Sequence, residues 1–377
     1  VSKKIRIGII GCGGIANGKH MPSLSKIDEA ELVAFCDLEE EKARKAAQEF
    51  GTEDAKVYLD YKELLEDERV DVVHVCTPNH SHAEITIDSL EADKHVMCEK
   101  PMAKTAADAR RMVETAKRTG KKLTIGYQYR FRADSWHLHK LCERGDFGDI
   151  YYAKAHAIRR RAVPTWGVFL DEEKQGGGSL IDIGTHSLDM TLWMMNNYEP
   201  KAVLGTTYHK LGKKKDAANA WGSWDPEKFT VEDSAFGMIT MKNGATISLE
   251  TSWALNTLQT GEAMCTLCGT EGGADMMDGL RINGEDFGKL YTNEVQVDGK
   301  GVAFYDADEE SDAEHEARLW IDSILNDKEP VVKPEQALVV TEILEAIYES
   351  AKSGKAVYFD EEEKDLDKSV KTNKILQ

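Results

Sequence analysis

An isoleucine-rich run, Ile5–Ile10, breaks into "GCGGIA" at residues 11–16 and continues as "NGKHMPSL". The run reads as a buried strand and the continuation as a helix, so three glycines in four positions join a strand directly to a helix. Glycine is costly to order. Such a run is therefore expected where a side chain would obstruct a tight turn or the approach of a ligand to the backbone.

The same strand-then-helix rhythm persists to about residue 126. "AELVAFCD", "KVYLDY", "VDVVHVCTP", "HVMCEKP" and "KKLTIGYQY" read as strands, and the segments between them, such as "LEEEKARKAAQEFG" and "TAADARRMVETAKRTG", read as helices. Alternation of this kind implies an α/β fold with a parallel sheet, helices on both faces, and ligands at the carboxyl ends of the strands. Gly11, Gly13 and Ala16 then fit GxGxxA in its proper context, with an acid, Asp37, closing the next strand. Gly11 permits the turn, Gly13 lets a pyrophosphate reach the backbone, and Ala16 lets helix and strand pack closely. Gly14 and Ile15 complete the loop. The helix N-terminus supplies N–H groups and partial positive charge. Asp37 suits the hydroxyls of an adenosine ribose and repels a 2′-phosphate, and the following "LEEEK" carries no immediate basic residue, so the expected cofactor is NAD in preference to NADP. A helix N-cap role for Asp37 is compatible with this.

Beyond residue 127 long strand-like stretches follow one another, among them "DIYYAKAHAIRR", "KAVLGTTYHKL", "SAFGMITM", "ATISLETSWAL" and "AMCTLCGT", and "KNG" at 242–244 reads as a hairpin turn. Helices are expected near 131–144, 184–196, 312–326 and 335–353. The reading is an N-terminal Rossmann domain over 1–126, then an α+β domain with an open, largely antiparallel sheet over 127–360, and a solvated acidic tail over 361–377.

A length of 377 residues is ample for two cores. A net charge of −19 opposes general attraction to nucleic acid or anionic lipid. No run approaches the roughly 18 apolar residues of a membrane span, and the opening shows no signal-peptide pattern, so the expected location is the cytoplasm. Seven cysteines, several in strand-like runs, fit reduced core thiols there better than disulfides. Cys265 and Cys268 form a CxxC without a second half-site, and the "HSH" at His80–His82 has no partner set, so no metal is expected.

Oxidising a carbinol beside a nicotinamide requires a group to take the hydroxyl proton as hydride leaves the carbon. "EKP" places Lys100 at the carboxyl end of a strand, and "DIGTH" puts Asp182 and His186 at i and i+4. Taken with "IGIIGCGGIA", "VCTPNHSHAEI", "EKPMAKTAADARRMVETA", "GYQYRFR" and "GGGSLIDIGTHSLDM", these segments resemble the Gfo/Idh/MocA family of NAD(P)-dependent oxidoreductases over about residues 3–350. The resemblance implies His186 as general base, Asp182 as the residue that binds substrate and orients or tunes His186, and Lys100 as a hydrogen-bond donor to the reacting oxygen that also shapes the proton equilibrium. Lys100 remains the alternative base. Thr77, Pro78, Asn79, His82 and Glu99 are candidates for the nicotinamide half of the cofactor site, and Arg130, Arg161, Trp166 and His315 for substrate. Trp221, Trp224 and Phe229, in an otherwise polar loop, are expected to cap a pocket or fill a subunit interface. The family commonly associates through the open sheet, which implies a homodimer or homotetramer. Three functions fit: an NAD-dependent dehydrogenase of an inositol or sugar, an enzyme that uses bound NAD transiently to cleave a glycoside without net redox change, and a non-catalytic NAD-binding regulator. The intact Lys100, Asp182 and His186 favour the enzymes.

Overall fold

The computed structural model describes residues 4–297 and 310–360; the expected acidic tail lies outside them. The first sheet has six strands: β1 (Ile5–Ile10), β2 (Ala30–Cys36), β3 (Lys56–Tyr58), β4 (Val72–Val75), β5 (His95–Cys98) and β6 (Leu123–Ile125). Their order is β3-β2-β1-β4-β5-β6, and every neighbouring pair is parallel. β4 is buried at every position and β1 at all but Arg6, as strands covered on both faces must be. The chain order reverses between β1 and β4, which opens a crevice at their carboxyl ends.

The second sheet contains β7 (Ile150–Ile158), β8 (Pro200–Tyr208), β9 (Ser234–Met241), β10 (Thr246–Ser252), β11 (Gly261–Gly269), β12 (Gly272–Asp275), β13 (Arg281–Asp286), β14 (Lys289–Glu294) and β15 (Val357–Tyr358). Its order is β14-β13-β12-β11-β7-β10-β9-β8-β15; β7 and β10 are parallel and the other pairs antiparallel. Gly244, with φ +90°, closes the β9–β10 hairpin at the anticipated "KNG". β12 and β15 were not anticipated. "GGAD" carries no apolar alternation, and a two-residue strand is too short to show any.

By internal contacts the described residues form two compact units, one of residues 4–136, 173–176, 297 and 310–341, the other of 137–172, 177–296 and 342–360. Ala317, Trp320 and Ile321 of the helix Asp312–Leu325 pack with Ile7, Ile9 and Val72 in the first unit's core. Among the described residues no helix is long and apolar enough to cross a membrane. In the second unit, the loop aromatics do not share one fate. Phe229 is buried and Trp224 packs against it in a cluster with Val163, Ile183 and Trp253, while Trp221 stays 42% exposed. The polar sequence around Trp224 and Phe229 hid their burial.

Candidate active site

In the first unit Gly11 follows β1 with φ +91°, and a Cβ there would lie 2.7 Å from Cys76 O at the end of β4. Glycine is thus required both for the backbone angle and for the approach of the two strands. Gly13 and Gly14 differ, since nothing lies within 4 Å of where their Cβ atoms would stand. The wide helical turn Ala16–His20 then runs into Met21–Leu24, and no side chain caps its start. Open backbone before an uncapped helix start fits a pyrophosphate. Asp37 Oδ2 accepts from Cys12 N (2.9 Å) and Oδ1 from Glu39 N (2.9 Å), which fixes the carboxylate beside the glycine turn and leaves lone pairs for ribose hydroxyls.

Glu99, expected near the nicotinamide ribose, is buried in a charge network. Its Oε1 receives Lys19 Nζ (3.0 Å) and His20 Nε2 (2.8 Å), its Oε2 receives Lys100 N (3.1 Å), and Lys19 also meets Glu316 (2.7 Å). Burial alone would raise the Glu99 carboxyl, but Lys19 and His20 outweigh it and hold it well below the usual range. Glu99 therefore acts as an anchor of the turn that carries Lys100. His82, expected to touch cofactor, has both ring nitrogens occupied: Nδ1 bonds Pro101 O (2.7 Å) and Nε2 bonds Thr77 O (2.8 Å). Two carbonyl acceptors require two N–H donors, so the ring is an imidazolium that ties the segments after β4 and β5 together. Burial opposes this charge, but the neighbouring Cys98 and the two carbonyls outweigh it and push the pKa up to about 9. Asn79 Nδ2 likewise donates to Gln175 O (2.9 Å), and Thr77 Oγ1 accepts from Ser81 Oγ (2.8 Å). Pro78 precedes the short turn Asn79–Ser81.

The raised pKa of His82 has a consequence for stability. Because the folded value, about 9, exceeds the ordinary unfolded value of about 6.5, the stabilisation is complete below about pH 6.5 and is lost as pH rises through about 9. His82→Phe should therefore unfold at a lower urea concentration than wild type at pH 6, with the gap narrowing toward pH 10. A gap that widens with pH would refute the imidazolium assignment.

In the second unit Asp182 and His186 lie on a buried helical stretch, a wide turn over Leu180–Gly184 followed by Thr185–Met195. Each is 5% exposed. Asp182 Oδ2 accepts from Trp253 Nε1 (2.9 Å) and lies 3.9 Å from Arg159 Nη1, while Arg159 grips Glu262 through two bonds (2.7 and 2.6 Å). The helix start is held by Glu232, which accepts from Gly178 N (2.7 Å), Leu180 N (2.9 Å) and Tyr348 Oη (3.0 Å); burial pushes its carboxyl up to about 7 against those donors. The chain passes so close here that a Cβ on Gly178 would stand 1.9 Å from Glu232 O. Wide helical turns of this kind recur at functional sites, and here one follows the glycine turn and one carries Asp182.

The four substrate candidates separate. Arg130 is fully buried and donates to Val331 O (3.2 Å) and Gln336 Oε1 (2.8 Å), which makes it a pin within the first unit. His315 packs edge to face against both Phe131 and Trp136, with Nδ1 3.2 Å from Phe131 O. Arg161 bonds Leu255 O (3.2 Å) and Asn256 Oδ1 (2.5 Å) on the second unit, and Trp166 is 52% exposed. Trp253, Arg159, Glu232 and Lys19 were missed. Each acts through partners distant in sequence, and only the position of Trp253 at a strand end offered any local signal.

A six-stranded parallel sheet of this order, with a glycine turn at its switch point and an acid just after β2, defines a dinucleotide-binding fold. Residues 5–127 match the family described as "Oxidoreductase family, NAD-binding Rossmann fold" and residues 139–359 its "C-terminal alpha/beta domain". The chain belongs to the Gfo/Idh/MocA oxidoreductase family. It is 35% identical over 359 residues to the D-glucoside 3-dehydrogenase of Escherichia coli, an alignment that covers 94% of this chain and 98% of that one. It is also 36% identical over 191 residues to the Myo-inositol 2-dehydrogenase of Thermotoga maritima, covering 51% and 55% of the two chains. Among solved structures, the aldose-aldose oxidoreductase of Caulobacter crescentus in complex with glycerol superposes with a TM-score of 0.77 at 26% identity, covering 95% of this chain and 100% of that one. The chain is thus an oxidoreductase of a family whose relatives are sugar and inositol dehydrogenases.

Proposed function

We propose that the protein is an NAD-dependent dehydrogenase that oxidises a secondary hydroxyl of a cyclic polyol or sugar. The observation that carries this reading is Asp182, fixed by Trp253 and flanked by Arg159, one helical turn before His186 on a buried helix. Similarity to the D-glucoside 3-dehydrogenase and the Myo-inositol 2-dehydrogenase supports the substrate class. Bound at the glycine turn, NAD would supply a hydride acceptor. His186 takes the hydroxyl proton as the carbinol C–H bond breaks, Asp182 holds the substrate and keeps the imidazole oriented, and Lys100 donates a hydrogen bond to the reacting oxygen. Five of the seven cysteines are buried thiols, which supports a reducing compartment such as the cytoplasm. Leu204 and Met238, opposite each other across β8 and β9, are each 54% exposed, and we assign self-association to that face of the sheet.

A screen of inositols, aldoses and glycosides with NAD and with NADP, read by NADH or NADPH absorbance, tests the function directly. Sustained release of NADH is expected. Product formed with NAD present but no NADH released would move the reading to transient oxidation. Asp37 gives the cofactor prediction. Replacing it with Ser and the exposed Leu38 with Arg removes the carboxylate that repels a 2′-phosphate and adds a cation beside it. The double variant should lose kcat/KM with NAD and gain it with NADP, whereas equal use of both cofactors by the unaltered enzyme would count against the role of Asp37.

A further inference from the structure

Two exposed indoles stand near Asp182 on the same unit. Trp166 and Trp221 are 52% and 42% exposed, and their rings meet edge to face with centroids 5.0 Å apart. Large aromatic side chains usually bury most of their area, so a paired, half-open arrangement marks a surface with work to do. The pair is also held in place. Thr165 Oγ1 donates to Trp221 O (2.6 Å), Ala220 N donates to Arg161 O (3.1 Å), and Asn219 bonds both backbone groups of Val163 (2.8 and 3.0 Å). Trp224 Nε1 donates to Gly212 O (2.7 Å) and its ring packs on buried Phe229, which anchors the remainder of the loop. An aromatic surface fixed in advance loses little conformational entropy when a ligand stacks on it.

The wall is continuous with the candidate catalytic carboxylate. The Arg159 guanidinium sits 5.1 Å from the centroid of the Trp221 ring and 3.9 Å from Asp182 Oδ2, so one side chain separates the indole from Asp182. Arg159 thus links the neighbourhood of Asp182 to the face of Trp221. Glu262, Arg161 and Asn256 give this surface a polar rim. Flat apolar faces edged by planar polar groups suit a pyranose, with its C–H face against an indole and its hydroxyls at the rim.

We propose that Trp166 and Trp221 form a subsite for a second sugar ring, so that the substrate is a glycoside whose oxidised ring lies at Asp182 and whose neighbouring ring stacks on the indoles. This rests on the dehydrogenase reading of Asp182 and His186. Kinetics with glucose, cellobiose and maltose, together with calorimetric titration of the same three sugars in the presence of NAD, test it. Trp221→Ala should lower kcat/KM for the better disaccharide about tenfold more than for glucose, mainly through KM, and Trp221→Phe should keep most of the preference. A disaccharide-to-glucose ratio that Trp221→Ala leaves unmoved would overturn the subsite while the dehydrogenase reading stands. If no sugar reduces NAD, that reading fails, and the titration still decides the subsite: wild type must bind a disaccharide more tightly than glucose, and Trp221→Ala must not. A change in sedimenting mass in Trp221→Ala with the ratio intact would make the pair a contact between subunits and overturn the proposal.

Discussion

His186→Ala is expected to lower turnover about 10²–10⁴-fold, the range typical for loss of a positioned general base, with NAD affinity nearly intact. The separation of effects follows from placement, because His186 belongs to the second unit and the glycine turn with Asp37 to the first. His186 is 5% exposed and begins a helix buried on all sides, so a solvent molecule has little room to replace it without the cavity that alanine creates. Wild-type oxidation should speed up with rising pH as the base loses its proton, and in the variant that limb should vanish or shift. Asp182 keeps its bond from Trp253 in the variant, so substrate binding should weaken less than turnover falls. Turnover within a few-fold of wild type, with an unchanged pH profile, would transfer the base role to Lys100 and leave His186 a positioning residue.

The part of this design legible in the sequence is the part encoded locally. Buried parallel strands such as Val72–Val75 are apolar runs, and the glycine turn announces itself because no other residue tolerates φ +91° against Cys76. The long strands of the second sheet could be read in the same way, whereas Gly272–Asp275 could not, since its pairing with β11 and β13 owes nothing to its own side-chain pattern. Contacts made at long range were hidden. Arg130 in "YRF" reads as a candidate for substrate hydroxyls, and the sequence does not show that its partners lie 201 and 206 residues away. Trp253 reaches Asp182 across 71 residues. For Glu99 and His82, sequence locates the side chains at strand ends without showing that Lys19, His20 and two carbonyls bond their polar atoms. These bonds fix the backbone on either side of Lys100.

That fixation is the basis for expecting Lys100→Met to cost about 10²–10³-fold in turnover, the effect typical of removing one preorganised donor to a developing oxyanion. Glu99 Oε2 accepts from Lys100 N, and the next residue, Pro101, gives its carbonyl to the His82 imidazolium, so the main chain is anchored before and after the lysine. Methionine preserves the length and most of the volume of the side chain and removes only the ammonium group. The fold should survive, and the loss should report on chemistry. If the ammonium binds the reacting oxygen chiefly as negative charge builds on it, kcat and kcat/KM should fall together, whereas a contact made equally to bound substrate would raise KM and spare kcat. Lys100→Arg should not restore the rate, because a planar guanidinium cannot reproduce the position of a compact ammonium on an anchored turn. A Lys100→Met enzyme that retains kcat within a few-fold of wild type would remove Lys100 from the reacting oxygen and reduce the turn after β5 to a structural element.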